Sequence, residues 1–482
     1  MNSDSPDVSR SGEDDPLVGG SGGDDSGDGV NASGSRGVRW RIAGAFFAAA
    51  VLIAAATVLL PSGATKLLLL AVLALPALLV LMAKPEYVLA IILFIRFTNF
   101  DIFLPVRLFR PMSLLLVIAL LAVRLDGRRL IFRDRFFPTL ILAFLLIAFH
   151  SMAVAEDFST SMHSFESLTG VLLVVAAALL LAGSRKYFLA FLIVLTLATM
   201  ISNFLPFLVP PPGDFESKSL MWEEGVMRYE GYQLEANMFA FHQIFIIPIL
   251  LFLMAKIDRP RYVRPLILAA LVGTVFVLML SFSRGGFVGL LVILIALFFV
   301  ERKNRAFMTV GVVGLVMLMV AAPALYWDRI ISLYEAARHV SQDYAILVRV
   351  QTLKVAAILG FENPVSGVGI GNFIYQSSRF LPFTKVVHNA FMQIFSELGL
   401  PGLFVVSTIF IRNIFVIRSM MSSDSNGERA QLGRFLMVQQ IAVAVNSMFI
   451  PIGYEIIFWV SLVIPSLANT AYPEKTGEPE RP

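Results

Sequence analysis

The chain contains no cysteine. That absence excludes disulfides, thiolate nucleophiles and cysteine-ligated metals. Charge is scarce as well. Only 15% of the 482 residues are Asp, Glu, Lys or Arg, against 57% hydrophobic. Soluble domains carry about a quarter charged residues, so this composition, with a mean hydropathy of +0.78, excludes that class. The net charge of +4 gives no ground for nucleic-acid binding. The first forty residues lack any apolar core and are rich in Gly, Ser and Asp, so no cleavable signal peptide is expected there. Such a segment buries too little surface to fold and reads as a disordered tail. No internal repeat is evident, which counts against the repeat-built transporter folds.

What the chain does have is long apolar runs. Fourteen segments of spanning length start near residues 41, 67, 86, 112, 137, 168, 187, 237, 265, 287, 306, 389, 435 and 453. The excess of Lys and Arg in cytoplasmic loops tests their order. Arg36, Arg39 and Arg41 place the N-terminus in the cytoplasm. Every second connection then carries the basic residues: Arg124 to Arg135, Arg185 and Lys186, Lys256 to Arg264, Arg302 to Arg305, and Arg412 to Arg434. The expectation is an all-α polytopic integral membrane protein with both termini cytoplasmic and about 12–14 transmembrane helices. The lower figure applies if the short segments near 67 and 86 do not span. The organisation expected is a tail over 1–40, transmembrane segments over 41–325, an external helical loop over 326–387, the last transmembrane helices over 388–468 and a second tail over 469–482. Apolar residues at three- and four-residue spacing predict helices in that loop at 328–340 and 344–359.

Arginines on the outer side break the charge rule and need a reason. They are Arg228, Arg284, Arg338, Arg349 and Arg379. In Ser283-Arg284-Gly285-Gly286 the glycines leave room for a ligand to approach the backbone at a helix start, so the arginine and free N–H groups suit a phosphate. The alternative is an arginine that snorkels to the interface beside a Gly-Gly turn. Helices starting at Asn237, after Arg284 and at His388-Asn389 would all present positive dipole ends to the outer side. His388 lies at the membrane boundary, where an imidazole can serve as a general base near neutral pH or simply as a bonded helix-start residue. On one continuous helix, Glu397 would lie on the opposite face from His388, about 13 Å along the axis and well inside the membrane. It therefore reads as a structural acid held by a partner there. His150, His163, His242 and His339 read as structural. Gly367-Val368-Gly369-Ile370-Gly371 has no βαβ context and reads as a tight turn, not a nucleotide loop. No His, Asp or Glu cluster has metal-ligand spacing.

Taken in order, several elements resemble the O-antigen ligase and O-antigen polymerase superfamily of bacterial membrane glycosyltransferases. They are Arg228 with Gly231 and Asn237-Met238-Phe239-Ala240; Ser283-Arg284-Gly285; Arg349 with the Asn363 to Phe373 stretch; and His388-Asn389 with Glu397-Leu398-Gly399-Leu400-Pro401-Gly402. Glu235-Ala236 stands where the family has a proline, and the first two hundred residues match only in being transmembrane. The resemblance implies a C-type glycosyltransferase membrane fold with a periplasmic loop domain, in the bacterial inner membrane. It implies transfer of a glycan from an undecaprenyl-diphosphate carrier to an acceptor hydroxyl, without a cofactor, nucleotide sugar or required metal. The acceptor would be a growing glycan or lipid A-core, and other polysaccharide assembly proteins would be partners. Carried over, Arg284 and Arg228 would hold the diphosphate, Arg349 would assist, His388 would be the general base, Asn389 would orient it and Asn237 would support the binding site. The helix count favours a polymerase over a ligase. A lipid-linked glycan flippase would instead need charges along a mid-membrane path, and a non-catalytic scaffold would leave Arg284 and His388 without a task.

Overall fold

The computed structural model describes residues 81–482 apart from 104–107, 128–129, 182, 211–219, 224–225, 234, 258–259, 301–326, 328–343, 384, 423–426 and 475–482. The tail 1–40, the segments near 41, 67 and 306, and the helix expected at 328–340 lie outside the described residues.

The other apolar segments all fall on helices. These are α1 (Pro85–Thr98), α2 (Phe109–Leu125), α3 (Phe136–Ala153), α4 (Phe158–Leu181), α5 (Arg185–Phe204), α6 (Ala236–Lys256), α7 (Val263–Leu280), α8 (Arg284–Val300), α11 (Ala390–Ser422), α12 (Glu428–Asn446) and α13 (Ile456–Ala471). Between α8 and α11 lie α9 (Tyr344–Glu362), where the loop periodicity predicts a helix, and the short α10 (Phe373–Ser377). Among the described residues, six helices are long and apolar enough to cross a bilayer: α3, α4, α5 with its 3-10 extension, α6, α7 and α11. The protein is an all-α, multi-pass membrane protein. One antiparallel hairpin, β1 (Leu220–Glu223) with β2 (Val226–Tyr229), interrupts the helices. It is not expected from the sequence, because four-residue strands are too short for an alternating pattern to show.

α4 starts ten residues earlier than its apolar run. Asp157 accepts from the backbone N–H of Thr160 at 3.1 Å and from its hydroxyl at 2.6 Å, so a polar stretch is drawn into the helix. Those bonds, the hydroxyl first, hold the Asp157 carboxyl below the usual range. α6 and α13 are the most enclosed of the helices described. Of the most apolar stretch of α6 83% is buried, against 22% for α7, which faces outward. Phe239, Phe241, Phe245 and Phe252 of α6 are closed off by neighbouring helices.

Polar contacts sort the helix ends into two faces. At one, Glu428 takes Arg185 at 2.5 Å and Lys256 at 2.6 Å, Tyr472 donates to Glu428 at 2.9 Å, and Arg412 pairs with Asp134. At the other, Asn99 donates to the Tyr232 carbonyl at 2.6 Å, Gln233 to that of Phe97 at 3.0 Å, and Asn372 to that of Asp157 at 3.0 Å. The second face is called the Arg284 face below.

α11 is not one continuous helix. Gly399 has φ 69° and ψ −167°, a conformation essentially confined to glycine. A Cβ there would stand 2.6 Å from the Pro364 carbonyl oxygen, and Leu400 donates its N–H to that same oxygen at 2.8 Å. The break separates a half-helix, 390–398, from a spanning segment, 400–422. Both ends of the half-helix touch the Arg284 face. Ala390 donates to the Ser447 carbonyl at 2.8 Å, just past the end of α12. Ser151, in the last turn of α3, donates to the Glu397 carbonyl at 2.5 Å. Ser151 stands about 25 Å along α3 from the Asp134 end, at 1.5 Å per residue. The half-helix therefore lies along this face, and Glu397 is not in mid-membrane as a continuous helix would require.

Candidate functional site

The start of α8 is held by three polar side chains, those of Ser283, Asn237 and Arg228. Phe282 takes φ 49°, turning the chain sharply after α7. The Ser283 hydroxyl accepts from the Gly286 N–H at 3.1 Å, capping α8, and donates to Asn237 Oδ1 at 2.9 Å. Arg228, on β2 and only 6% exposed, donates through Nε to the Ser281 carbonyl at 3.0 Å and through Nη2 to Asn237 Oδ1 at 3.3 Å. Arg228 and Asn237 thus hold the turn that carries Arg284, which is itself partly exposed. The hairpin bearing Arg228 is anchored in turn. Tyr229 donates to the Asn203 carbonyl at 2.6 Å and stacks on Phe207 at 4.7 Å, and its burial keeps the phenol protonated well above its ordinary range.

The glycines after Arg284 serve packing, not ligand access as the sequence suggests. A Cβ on Gly286 would lie 2.8 Å from that of Ala240 on α6, and one on Gly285 would lie 3.0 Å from Phe449. Not all three helix starts on this face are open either. Glu235 caps α6 by accepting from the N–H groups of Asn237, at 3.0 Å, and Met238. A carboxylate in the first turn satisfies the dipole that an anionic ligand would otherwise meet. The starts of α8 and the half-helix are instead capped by the neutral side chains of Ser283 and Asn389.

His388 sits just before the half-helix and is partly exposed. Asn389 caps that helix, accepting from Met392 N–H at 3.0 Å. His388 Nδ1 lies 3.1 Å from the Val386 carbonyl oxygen. A carbonyl only accepts, so the proton of a neutral ring belongs on Nδ1 and the lone pair on Nε2. That is the tautomer a base requires. Asn389 fixes the helix start and so the backbone that carries His388.

The turn after α12 joins the two halves. Asn446 donates to the Gly285 carbonyl at 3.0 Å, next to Arg284. The following residue, Ser447, accepts from Ala390, two residues past His388. Sequence reasoning missed both residues, because they lie in an ordinary apolar helix end. The available signal is Gly289: a Cβ there would meet Asn446 Nδ2 at 2.3 Å, so Gly285 and Gly289 make the flank against which α12 seats. Arg349 lies on α9, which runs beside the half-helix, with Gly360 against Phe395. It stands about 16 Å before Gly360 and His388 about 10 Å before Phe395, so both belong to the same end of the pair.

Glu397 holds the glycine loop. Its carboxylate accepts from Gly371 N–H at 2.9 Å and Phe373 N–H at 3.3 Å, and Tyr454 stands beside it. Gly367, Gly369 and Gly371 all have positive φ, and Gly369 packs on Ala155 and Gly371 on Ser164. Both the structural acid and the tight turn read from the sequence agree with this geometry. His242 is also structural, its Nδ1 on the Met238 carbonyl at 2.9 Å and its ring edge-on to Phe97.

Fold and site together define a multi-pass α-helical membrane protein with a polar site at one end of the bundle. Residues 269–407 match the family model described as O-antigen ligase, consistent with the superfamily that the motifs resemble. The match associates the chain with O-antigen and polysaccharide assembly by a glycosyltransferase-like activity, and with lipid-linked glycan and polysaccharide acceptor substrates. It contains Arg284, Arg349, His388, Asn389 and Glu397, and leaves Arg228, Asn237 and Asn446 outside. No curated protein matches the chain.

Proposed function

We propose that this protein transfers a glycan from an undecaprenyl-diphosphate carrier to an acceptor hydroxyl at the outer face of the inner membrane, in O-antigen or exopolysaccharide polymerisation. The observation that carries this reading is the Asn446-Ser447 turn, which bonds the start of α8, with Arg284, and the start of the half-helix, after His388. His388 Nε2 takes the proton of the acceptor hydroxyl. The oxygen forms a bond to the anomeric carbon of the donor sugar as the bond from that carbon to the phosphate oxygen breaks. Undecaprenyl diphosphate leaves with the bonding pair, and Arg284 stabilises the charge that develops on it. Arginine suits that task because it stays ionised and binds oxyanions through two N–H groups. Arg349 assists from α9. Arg228, Asn237 and Asn389 act by holding Arg284 and His388 in place. The protonated imidazole returns its proton to water.

The description of the matching family favours a second reading, attachment of finished polymer to lipid A-core. A complementation assay separates the two. Arg284→Ala and His388→Ala variants, at matched membrane levels, are compared by the chain length of surface glycan. Loss of long chains with single repeats still on the core selects the polymerase. Accumulated unattached polymer selects the ligase. Unchanged glycan in both variants refutes a catalytic role for either residue.

A further inference from the structure

Two glutamates stand at the cap position of helices on the Arg284 face and behave differently. Glu235 folds back onto the first turn of α6. Glu455 precedes α13 in the same extended conformation, with φ −84° and ψ 144°, yet its side chain makes no capping bond to its own helix. Its side chain is 44% exposed and turned to Arg96, with Nη2 to Oε2 at 3.5 Å. Arg96 is 25% exposed, its guanidinium held over the Phe109 ring at 4.7 Å, and its buried Nε has no hydrogen-bond partner among the described residues. The pair is therefore open: a carboxylate that forgoes its cap, and an arginine whose plane is fixed by an aromatic ring.

Its place is central. Gly453, two residues before Glu455, donates to Gln393 Oε1 of the half-helix at 3.2 Å, and Tyr454 stands beside Glu397. On the other side, Phe97 follows Arg96 and packs on His242, one turn from the start of α6 where Asn237 holds Arg228 and Ser283. The pair thus stands between the element that carries His388 and the elements that carry Arg284.

We propose that Arg96 and Glu455 form a saccharide subsite that binds neighbouring hydroxyls of the acceptor glycan; this rests on the transfer function proposed above. A sugar hydroxyl both donates and accepts. Glu455 accepts from one hydroxyl, Arg96 donates to the next, and the long 3.5 Å separation leaves each group lone pairs or protons to offer. A phosphate is disfavoured here because Glu455 repels it, so this subsite takes a neutral or cationic sugar and not the diphosphate of the carrier.

The test compares Arg96→Ala, Glu455→Gln and the exchanged double variant Arg96→Glu/Glu455→Arg with wild type. Surface polymer is measured at matched membrane levels, and undecaprenyl diphosphate binding is measured on the purified full-length chain. Expected is a fall in polymer of about tenfold in each single variant, the size of a lost charge-assisted hydrogen bond. Carrier affinity should stay within about twofold of wild type, and the exchange should not restore polymer. Recovery of polymer in the exchanged variant would show a purely structural ion pair and overturn the proposal. So would loss of carrier affinity in the single variants, or unchanged polymer. Arg284→Ala runs alongside: if it keeps both polymer and carrier binding, the transfer site proposed around Arg284 fails, whereas failure confined to the Arg96 and Glu455 variants removes only the subsite.

Discussion

The two ends of the helix bundle both carry ion pairs, among them Arg96–Glu455 and Arg379–Glu156 at the Arg284 face, and differ in what their other polar residues hold. At the Arg412 face charge is spent on charge. Glu428 pairs with both Arg185 and Lys256 and accepts from the Tyr472 hydroxyl, and Asp134 pairs with Arg412. At the Arg284 face polar side chains are spent on backbone. Arg228 bonds the Ser281 carbonyl, Asn446 that of Gly285, and Glu397 the amides of Gly371 and Phe373. One face closes the bundle with ion pairs between regular helix ends. The other breaks the helices at Phe282 and Gly399, leaving backbone groups that side chains must satisfy. Irregular backbone at membrane depth is tolerated only where protein or a water-filled cavity meets it. A site that must bind a polar headgroup belongs at the end where that cost is already met.

Substitutions at the two faces should therefore separate activity from stability. The largest effect is expected at the helix break. Gly399→Ala forces a side chain into a conformation that costs about 1–3 kcal/mol and onto the Pro364 carbonyl, so both the melting temperature and surface polymer should fall. Asn446→Ala removes one hydrogen bond to the Gly285 carbonyl. A loss of roughly 1 kcal/mol in the placement of Arg284 corresponds to about fivefold in turnover, with little change in melting temperature. Glu428→Gln should do the reverse, lowering stability by at most about 1 kcal/mol because the pairs are partly exposed while turnover in reconstituted vesicles stays unchanged. The smallest effect is expected from chelation. If the chemistry is arginine and histidine alone, EDTA should leave the rate within about twofold. A melting-temperature loss for Asn446→Ala as large as that for Glu428→Gln would erase the distinction between the faces.

Much of this was legible in the sequence, for physical reasons. Spanning helices announce themselves by length and apolarity, and alternating arginines order them. Arg284 and His388 stand out because charge and imidazole are rare in such a chain. The bond from Asn446 to Gly285 was not legible, since an asparagine at a helix end has many uses and only a partner 161 residues away gives it this one. The break at Gly399 was hidden for a related reason. Glu397-Leu398-Gly399-Leu400 keeps a helical hydropathy pattern, and only the position of Pro364 makes a positive φ necessary. The hairpin bearing Arg228 is too short to show a period. Glycines 285 and 286 mislead in sequence because a missing side chain looks the same whether a ligand or another helix fills the space.

The most direct test of the Arg284 and His388 site is transfer by the purified chain in vesicles, with lipid-linked glycan as donor and release of undecaprenyl diphosphate as the readout. Wild type should release it in proportion to glycan transferred. His388→Ala and Arg284→Ala should each slow release by about a hundredfold or more, with melting temperatures unchanged. Release at the wild-type rate by His388→Ala would contradict its role as the base.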